Sequence, residues 1–421
     1  MSSETVDDGT VGSALGHITI CDLSGQLAGA GSTRYLAAFG ARVIRVEDPV
    51  RQGRWDILRG VVPHVDDRLG IELGGAFNNH NVEKLGVTIN LRLEAGRDLL
   101  RRLVEVSDVV TENFAAGVMA KLGFSYEELR RIRPDLIYVS NSGFGSDGPY
   151  ASFKTFGPVV QAVCGLTFGV GRADAAPAGW GFSYMDHMGA NYMALAVLAA
   201  LVHRNRTGEG QWVDMSCTEA GLGLTGPDLL DYTVNGRPLR RPGMPDSNHS
   251  DQPAMAPHAL YPTREPDRWV AIACRDDEDW SAFVGACGEA WAQDPGFGTV
   301  AGRLARQEEL DRLVAGWTSS RERDQVAGEL REVGVPAAAV AMSEDRIEHD
   351  PDNAAWGLFP VVHHPEMGDV RVDGIPVHLS ETDWRISRGA PLLGQHNREV
   401  FCGLVGLSDE EFGALQDASV L

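Results

Sequence analysis

The sequence predicts an α/β protein: a large domain built on a parallel sheet, joined to a smaller α+β domain. Three observations carry this. Short runs rich in Ile, Val and Thr alternate with helical segments from residue 17 to about 216, the pattern of strands joined by helical crossovers. A stretch dense in Pro, Ser, Asn and Asp then breaks the periodicity, as a crossing linker does. Beyond it a strand and a long helical region begin a second unit.

Taken in order, "HITICDL" (17–23) alternates and reads as a strand. "SGQLAGAGS" reads as a glycine loop, and "TRYLAAFG" as a short helix stopped at Gly40. "RVIRVED" and "LGVTINL" are the second and third strands, the latter followed by a helix through "EAGRDLLRRLVEVS". "DVVTENF" is a fourth strand, "SYEELRRIRP" a helix, and "DLIYVSNSGFG" a fifth strand ending in a glycine turn. An apolar helix covers about 188–202, and "GEGQWVDMS" supplies a turn and a strand. Residues 226–262 read as linker, "RWVAIAC" as a strand, the chain to about 332 as helical, and "GVPAAAV" as the start of a return segment. The large domain is therefore placed at 1–225, completed by 335–421, and the linker with the small domain at 226–334.

Composition bounds the function. The chain has 421 residues, 43% of them hydrophobic and 23% charged, which is ordinary for a globular protein with large cores. A net charge of −22 argues against nucleic acid or anionic membrane as partner. The six cysteines are scattered without CxxC or Cys/His ligand spacing, so no metal site is expected and reduced thiols in a cytoplasmic protein are. The N-terminal "MSSETVDDGTVGSALG" lacks the basic and apolar regions of a signal peptide. The 188–202 helix contains Asn191 and runs into His203 and Arg204, short of the roughly 20 apolar residues of a membrane span; no membrane segment is expected.

Three patterns bear on chemistry. "GAGSTR" half-matches the dinucleotide fingerprint GxGxxG, with Glu47 where a ribose-binding acid would stand, but Arg34 holds the third glycine position. A tight turn with a close backbone approach explains it better. No GxSxG elbow supports a hydrolase triad. The third pattern is "GWGFSYMDHMGANYMALAVLAAL" (179–201), where Asp186 stands among glycines and aromatics before the apolar helix. A lone Asp there ordinarily caps the helix. Glycines that admit a ligand and aromatics that exclude water also suit a nucleophile.

Several ordered motifs settle that balance: "ITICDLSGQLAGAGSTRYLAAFGARVIRVEDP", "VTENFAAGVMAKLGFSYEELRRIRPDLIYVSNSGFGSDGPY", "DHMGANYMALAVLAALVHRNRTGEGQWVDMS", "GVPAAAV" and "APLLGQHNREVF". Together they resemble family III CoA-transferases over nearly the whole chain. The resemblance implies a Rossmann-like large domain and an interlocked homodimer. It implies CoA and acyl-CoA as substrates, with no tightly bound cofactor, and a free carboxylic acid as acceptor. It puts the catalytic aspartate at Asp186 and CoA contacts at Leu27, Ala28, Lys84, Asn113, Phe114, Lys121 and Lys154. Read alone, each of these lysines is a solvated surface charge. Asp48 stands where relatives carry a basic residue, and the stretch 245–262 lacks the glycine run that closes over the formyl-CoA transferase site.

An aspartate suits such chemistry, because its mixed anhydride can be attacked again by CoA thiolate and no general base is required. An ordinary Asp, of pKa ~3.9, is fully ionised at neutral pH. Oxyanion donors are sought in the backbone near Gly143, Gly145 or Gly189. The related α-methylacyl-CoA racemases need a histidine where this chain aligns Phe156 in "KTFGPVVQAVCG", which favours transferase over racemase. A non-catalytic CoA-binding homologue is the remaining alternative.

Overall fold

The computed structural model describes residues 12–246, 248–251 and 253–421. The chain divides into two compact units. The first comprises residues through Thr167, Gly179–Leu229 and Asp352–Leu421, and the second Phe168–Ala178 and Leu230–Pro351.

The first unit is built on six parallel strands: β1 (Thr19–Asp22), β2 (Arg42–Glu47), β3 (Leu85–Thr88), β4 (Val109–Glu112), β5 (Ile137–Ser142) and β6 (Trp212–Ser216), in the order β3-β2-β1-β4-β5-β6. All six fall where the sequence predicts a strand. β1 to β5 are buried on both faces, as the strands of a covered parallel sheet require, while β6 at the edge is largely exposed. The order reverses between β1 and β4, both paired through Ile20. Ligands of doubly wound sheets bind at the strand ends beside such a switch.

Helices cover the sheet. α1 (Gln26–Ala38) follows β1, α2 (Gly75–His80) precedes β3, and α3 (Glu94–Glu105) and α5 (Tyr126–Ile132) pack on one face, with the short α4 (Val118–Lys121) between them. α6 (Gly157–Val163), α7 (Leu166–Gly169) and α8 (Tyr184–Thr207) follow β5, and α9 (Cys217–Leu222) follows β6. Two departures from the sequence reading matter. The glycine loop expected at 24–32 is helical from Gln26, with Gly29 and Gly31 inside α1. Glycine disfavours a helix, but here tertiary contact decides. A Cβ on Gly29 would lie 3.0 Å from Asn113 Cγ and collide with Ser24, and one on Gly31 would lie 3.0 Å from Ala190 Cβ on α8. The helix expected at about 188–202 spans 24 residues. By length and composition it is the one candidate membrane span among the described residues, with 44% of its most apolar window buried inside the protein. Its buried side, Met185, Met193 and Val197, joins the core formed by Val43, Val109 and Val139.

The other edge of the sheet is closed by the C-terminal part of the chain. His396 N donates to Gly86 O at 2.9 Å, and Gly86 N donates back to His396 Nδ1 at 3.0 Å. Thr88 N donates to Asn397 Oδ1 at 2.8 Å. The tail thus takes up the free backbone groups of β3.

The second unit has a three-stranded antiparallel sheet, β9 (His258–Pro262), β10 (Trp269–Ala273) and β11 (Ala337–Ala339), with β10 in the centre. A two-residue pair, β7 (Ser250–Asp251) and β8 (Ala254–Met255), precedes it. Trp280, Phe283, Phe297 and Trp317 pack with Tyr261 and Ile272 in its core. The stretch 226–262, read as linker, therefore carries these strands as well as a helix at Pro227–Asn235. Its prolines bound these elements: Pro227 starts the helix, Pro262 ends β9, and Pro257, after a cis peptide bond, stands between β8 and β9.

Candidate active site

The loop after β1 and the loop after β4 meet at the switch point. Gly25 N donates to Asn113 Oδ1 at 2.8 Å, and Asn113 Nδ2 returns to Gly25 O at 2.9 Å. Phe114 N is held by Glu112 Oε2 at 2.7 Å. Trp55 lies over this junction, its ring centroid 5.2 Å from that of Phe114. Gly25 is required there, because a side chain would collide with the indole.

Above the junction opens a cavity of about 300 Å³. Gln26, Ala28, Trp55, Asn113 and Phe114 line one side, and Asn141, Ser142 and Gly143 from the end of β5 line another. Lys154, Phe156, Asp186 and Cys217 complete it. No histidine lines this cavity.

Asp186 is not the helix cap. Ser183 takes that position in a left-handed backbone conformation, φ 34°, a strained state for a residue with a side chain. Asp186 follows in the first turn of α8, half-buried. Its carboxylate accepts from the Ser183 side chain and the Gly157 backbone N–H. A Cβ on Gly157 would lie 2.8 Å from Asp186 Oδ2, so glycine lets the α6 backbone reach the acid. Burial pushes the carboxyl up to about 6, with these two donors pulling the other way. The ordinary pKa expected from sequence is corrected by this enclosure. At neutral pH the carboxylate still predominates, about tenfold.

Beside it, burial together with the negative charge of Asp186 pushes the Cys217 thiol up to about 12. It is a neutral donor to Asn141 Oδ1 at 3.1 Å, not a nucleophile. The Ser142 hydroxyl is enclosed and has no hydrogen-bond partner within the protein.

The expected site residues separate into two groups. Ala28, Asn113, Phe114, Lys154 and Asp186 are brought to one cavity, with Phe156 and Gly143. Leu27, Lys84 and Lys121 do not line it. Leu27 is buried with Leu58 and Phe77. Lys121 is exposed at the end of α4. Lys84 is fully buried, its Nζ 3.3 Å from Asp22 Oδ2, 2.9 Å from Ala30 O and 3.0 Å from Asn81 Oδ1. Burial outweighs Asp22 and brings this ammonium down to about 8. Its three hydrogens are taken up by these three oxygens inside the fold, away from the cavity, at odds with the phosphate contact expected from the resemblance. Of the oxyanion glycines, neither Gly145 nor Gly189 lines the cavity; a Cβ on Gly189 would meet Cys217 Sγ at 2.7 Å. Glu47 is locked on Arg59 at 2.6 Å, out of reach of any ribose.

Sequence reading missed Gln26, Trp55, Ser142 and Cys217 as cavity residues. Trp55 was the most accessible of these, as an isolated aromatic in the polar loop after β2. Among the described residues no group of His, Cys, Asp or Glu is placed to hold a metal ion.

Comparison with known proteins gives consistent results. A sequence model of CoA-transferase family III matches residues 15–397. The chain is 34% identical over 408 residues to the succinyl-CoA–D-citramalate CoA-transferase of Chloroflexus aurantiacus, covering 97% of this chain and 98% of that one. It is 32% identical over 394 residues to the succinate–glutarate CoA-transferase of Agrobacterium fabrum, covering 93% and 95%. The crystal structure of a CAIB/BAIF family protein from Brucella suis superposes with a TM-score of 0.83 at 29% identity, over 93% of this chain and 100% of that one.

Proposed function

The chain belongs to CoA-transferase family III, and on that premise we propose that it moves CoA from an acyl-CoA donor to a free carboxylic acid, with Asp186 as the covalent nucleophile. The observation that carries this is the setting of Asp186: the one carboxylate lining the cavity, enclosed, and held by a backbone N–H and a hydroxyl.

The Asp186 carboxylate attacks the donor thioester carbonyl, and CoA leaves as thiolate. The aspartyl–acyl anhydride that remains has two carbonyls. The thiolate attacks the one on Asp186, the donor acid departs as carboxylate, and the enzyme holds CoA as a thioester. The acceptor carboxylate repeats the sequence in reverse, through a second anhydride, and Asp186 is regenerated. No proton needs to move, so the absence of a histidine from the cavity lining costs this reaction nothing. Each tetrahedral intermediate needs a fixed donor for its oxyanion. The unpartnered Ser142 hydroxyl supplies one, and the first-turn N–H of α1 at Ala28, whose helix start has no side-chain cap, supplies another. Trp55, Phe114 and Phe156 keep water from the anhydride.

CoA enters along Asn113 and Phe114, with Lys154, and Lys121 beyond the cavity, pairing its phosphates. Lys84 has no part in this. The racemase alternative needs a second acid–base group in the cavity, and Phe156 cannot supply a proton. We also propose a homodimer. Tyr192, Leu195, Leu198 and Val202 form an apolar stripe along the exposed side of α8, 40–61% accessible, at the spacing of one helix face. All six cysteines are unpaired thiols, which supports a reducing compartment, the cytoplasm.

The test is direct. Protein mixed with acyl-CoA and no acceptor should gain the mass of CoA on the peptide that holds Asp186, and hydroxylamine should remove it. A racemase would instead exchange the substrate α-hydrogen with solvent and show no adduct.

A further inference from the structure

The floor of the cavity holds a polar pair, Asn141 and Cys217, for which the transfer steps above give no task. Gly189 lies three residues past Asp186 in α8, about 4.5 Å along the helix axis. A Cβ there would meet Cys217 Sγ at 2.7 Å and stand 3.7 Å from both Ala28 Cβ and Met215 Cε. The starts of α1 and α9 therefore converge on α8 one turn below the nucleophile. The end of β5 adds Asn141. Asn141 and Cys217 line the cavity together with Ala28 and Asp186, and are 3% and 5% exposed.

The amide is out of keeping with its surroundings. Val139, Met193, Met215 and Cys217 belong to the apolar core beneath α8. A leucine of similar volume in place of Asn141 would bury no polar group there. The bonding of the amide is also one-sided. Its Oδ1 accepts from Cys217 Sγ at 3.1 Å. Its Nδ2 reaches Met193 Sδ at 3.4 Å, and a thioether is a weak acceptor that cannot donate. This sulfur fixes which end of the amide is which, since an oxygen turned toward Met193 would find no donor. The thiol holds the other end permanently: burial, with the charge of Asp186 adding to it, pushes Cys217 up to about 12, so its proton stays in place. The second N–H of Asn141 has no acceptor among the described residues. A buried donor left in that state is costly, and the space beside it is the cavity.

We propose that Asn141 is a further catalytic residue, whose free N–H donates to the oxyanion formed when Asp186 attacks the donor thioester, and that Cys217 is its positioning residue. The inference rests on the CoA-transferase reading and deepens it. As the carbonyl carbon becomes tetrahedral, negative charge gathers on its oxygen, and a donor fixed in advance stabilises it without reorganisation. The amide keeps its proton throughout, and the electron pair returns to the carbonyl as CoA leaves as thiolate. The thiol bond to Oδ1 polarises the amide and strengthens its N–H as a donor. Its larger effect is on orientation. A reversed amide would turn its oxygen toward Asp186 and the oxyanion and repel both.

The experiment measures the single-turnover rate at which protein mixed with succinyl-CoA, acetyl-CoA or propionyl-CoA gains the mass of CoA at Asp186, alongside the Kd for CoA and the melting temperature. Asn141→Leu should slow the adduct about 100- to 1,000-fold, as for the loss of one oxyanion donor, with Kd unchanged. Cys217→Ala should slow it less and Cys217→Ser, which keeps a donor, should recover most of the rate. A role in packing alone would move melting in these variants and leave the rate per folded molecule as in the native protein. If Asn141→Leu does not fold, the contrast between the two Cys217 variants decides. Native rates in Asn141→Leu, or equal rates in Cys217→Ala and Cys217→Ser, overturn the amide's role and leave the transferase reading standing. No adduct from any of the three thioesters in the native protein overturns the transferase reading, and the amide's role with it.

Discussion

Asp186 performs its chemistry only as a carboxylate, and its enclosure places the titration inside an accessible pH range. The rate of adduct formation should rise with pH through about 6 and level off above 7, since the carboxyl is pushed to about 6. A profile flat down to pH 4.5 would show that the acid is not enclosed in solution. Stability has the opposite sign. A folded-state pKa raised above the unfolded value favours the protonated form, so the ionised carboxylate costs stability above pH 6, by at most roughly 3 kcal/mol. Asp186→Asn should therefore melt no lower than the native protein at pH 8, lose that advantage by pH 4, and transfer no CoA. The two lysines diverge in the same way. Lys154→Ala should weaken acyl-CoA binding about 10- to 150-fold at unchanged stability. Lys84→Ala strands Asp22 without its cation and should cost about 3–5 kcal/mol, with KM unmoved in whatever fraction folds. Both residues are lone lysines beside regular elements. Only the packing shows that one of them is buried among Asp22, Ala30 and Asn81, and no local pattern in the sequence encodes that.

At the scale of elements, strands were legible and glycine-bearing helices were not. Runs such as "RVIRVE" and "IYVSNS" place β-branched and apolar residues where a buried strand needs them, and periodicity finds them. α1 carries two glycines that propensity assigns to a loop, and the reason for them, the approach of Ala190 and Asn113, lies 84 to 159 residues away in the chain. This gives a test in which two effects compete. Gly29→Ala gains about 1 kcal/mol of helix propensity but forces a Cβ onto Ser24 and Asn113, an overpacking that costs about 1–3 kcal/mol. Urea unfolding should show a net loss. On α8 the outward stripe makes the opposite prediction. Leu195→Asp, at 61% exposure, should leave the melting of a monomer intact and halve the mass found by light scattering. A native protein already monomeric at micromolar concentration removes the proposed dimer.

For the whole molecule, buried histidines set the response to acid. Burial holds His80, His187, His364 and His396 below their ordinary pKa, and His364 and His396 accept backbone N–H groups at Nδ1. Each must take up a proton on unfolding in mild acid. The unfolded chain therefore binds more protons, and stability that is complete above pH ~6.5 falls as pH drops, by up to about 1.4 kcal/mol per unit per histidine. Asp186 and Glu112, whose pKa values are raised, oppose this in part. The urea midpoint should drop between pH 6.5 and 5, and a His396→Leu variant should lose part of that dependence together with the bond to Gly86.

The closure of β3 by His396 and Asn397 also has a consequence in time. Those residues are made 310 positions after Gly86, an interval of roughly 15–60 s at the pace of a ribosome. Throughout it the nascent sheet presents a strand whose backbone groups have no partner on one side, a template for pairing with a neighbouring chain on the same message. Folding of the first unit is therefore tied to the synthesis of His396 and Asn397. Chains halted after β6 should collect in the insoluble fraction of a cell, and supplying the missing segment as a separate peptide during translation should return part of them to solution.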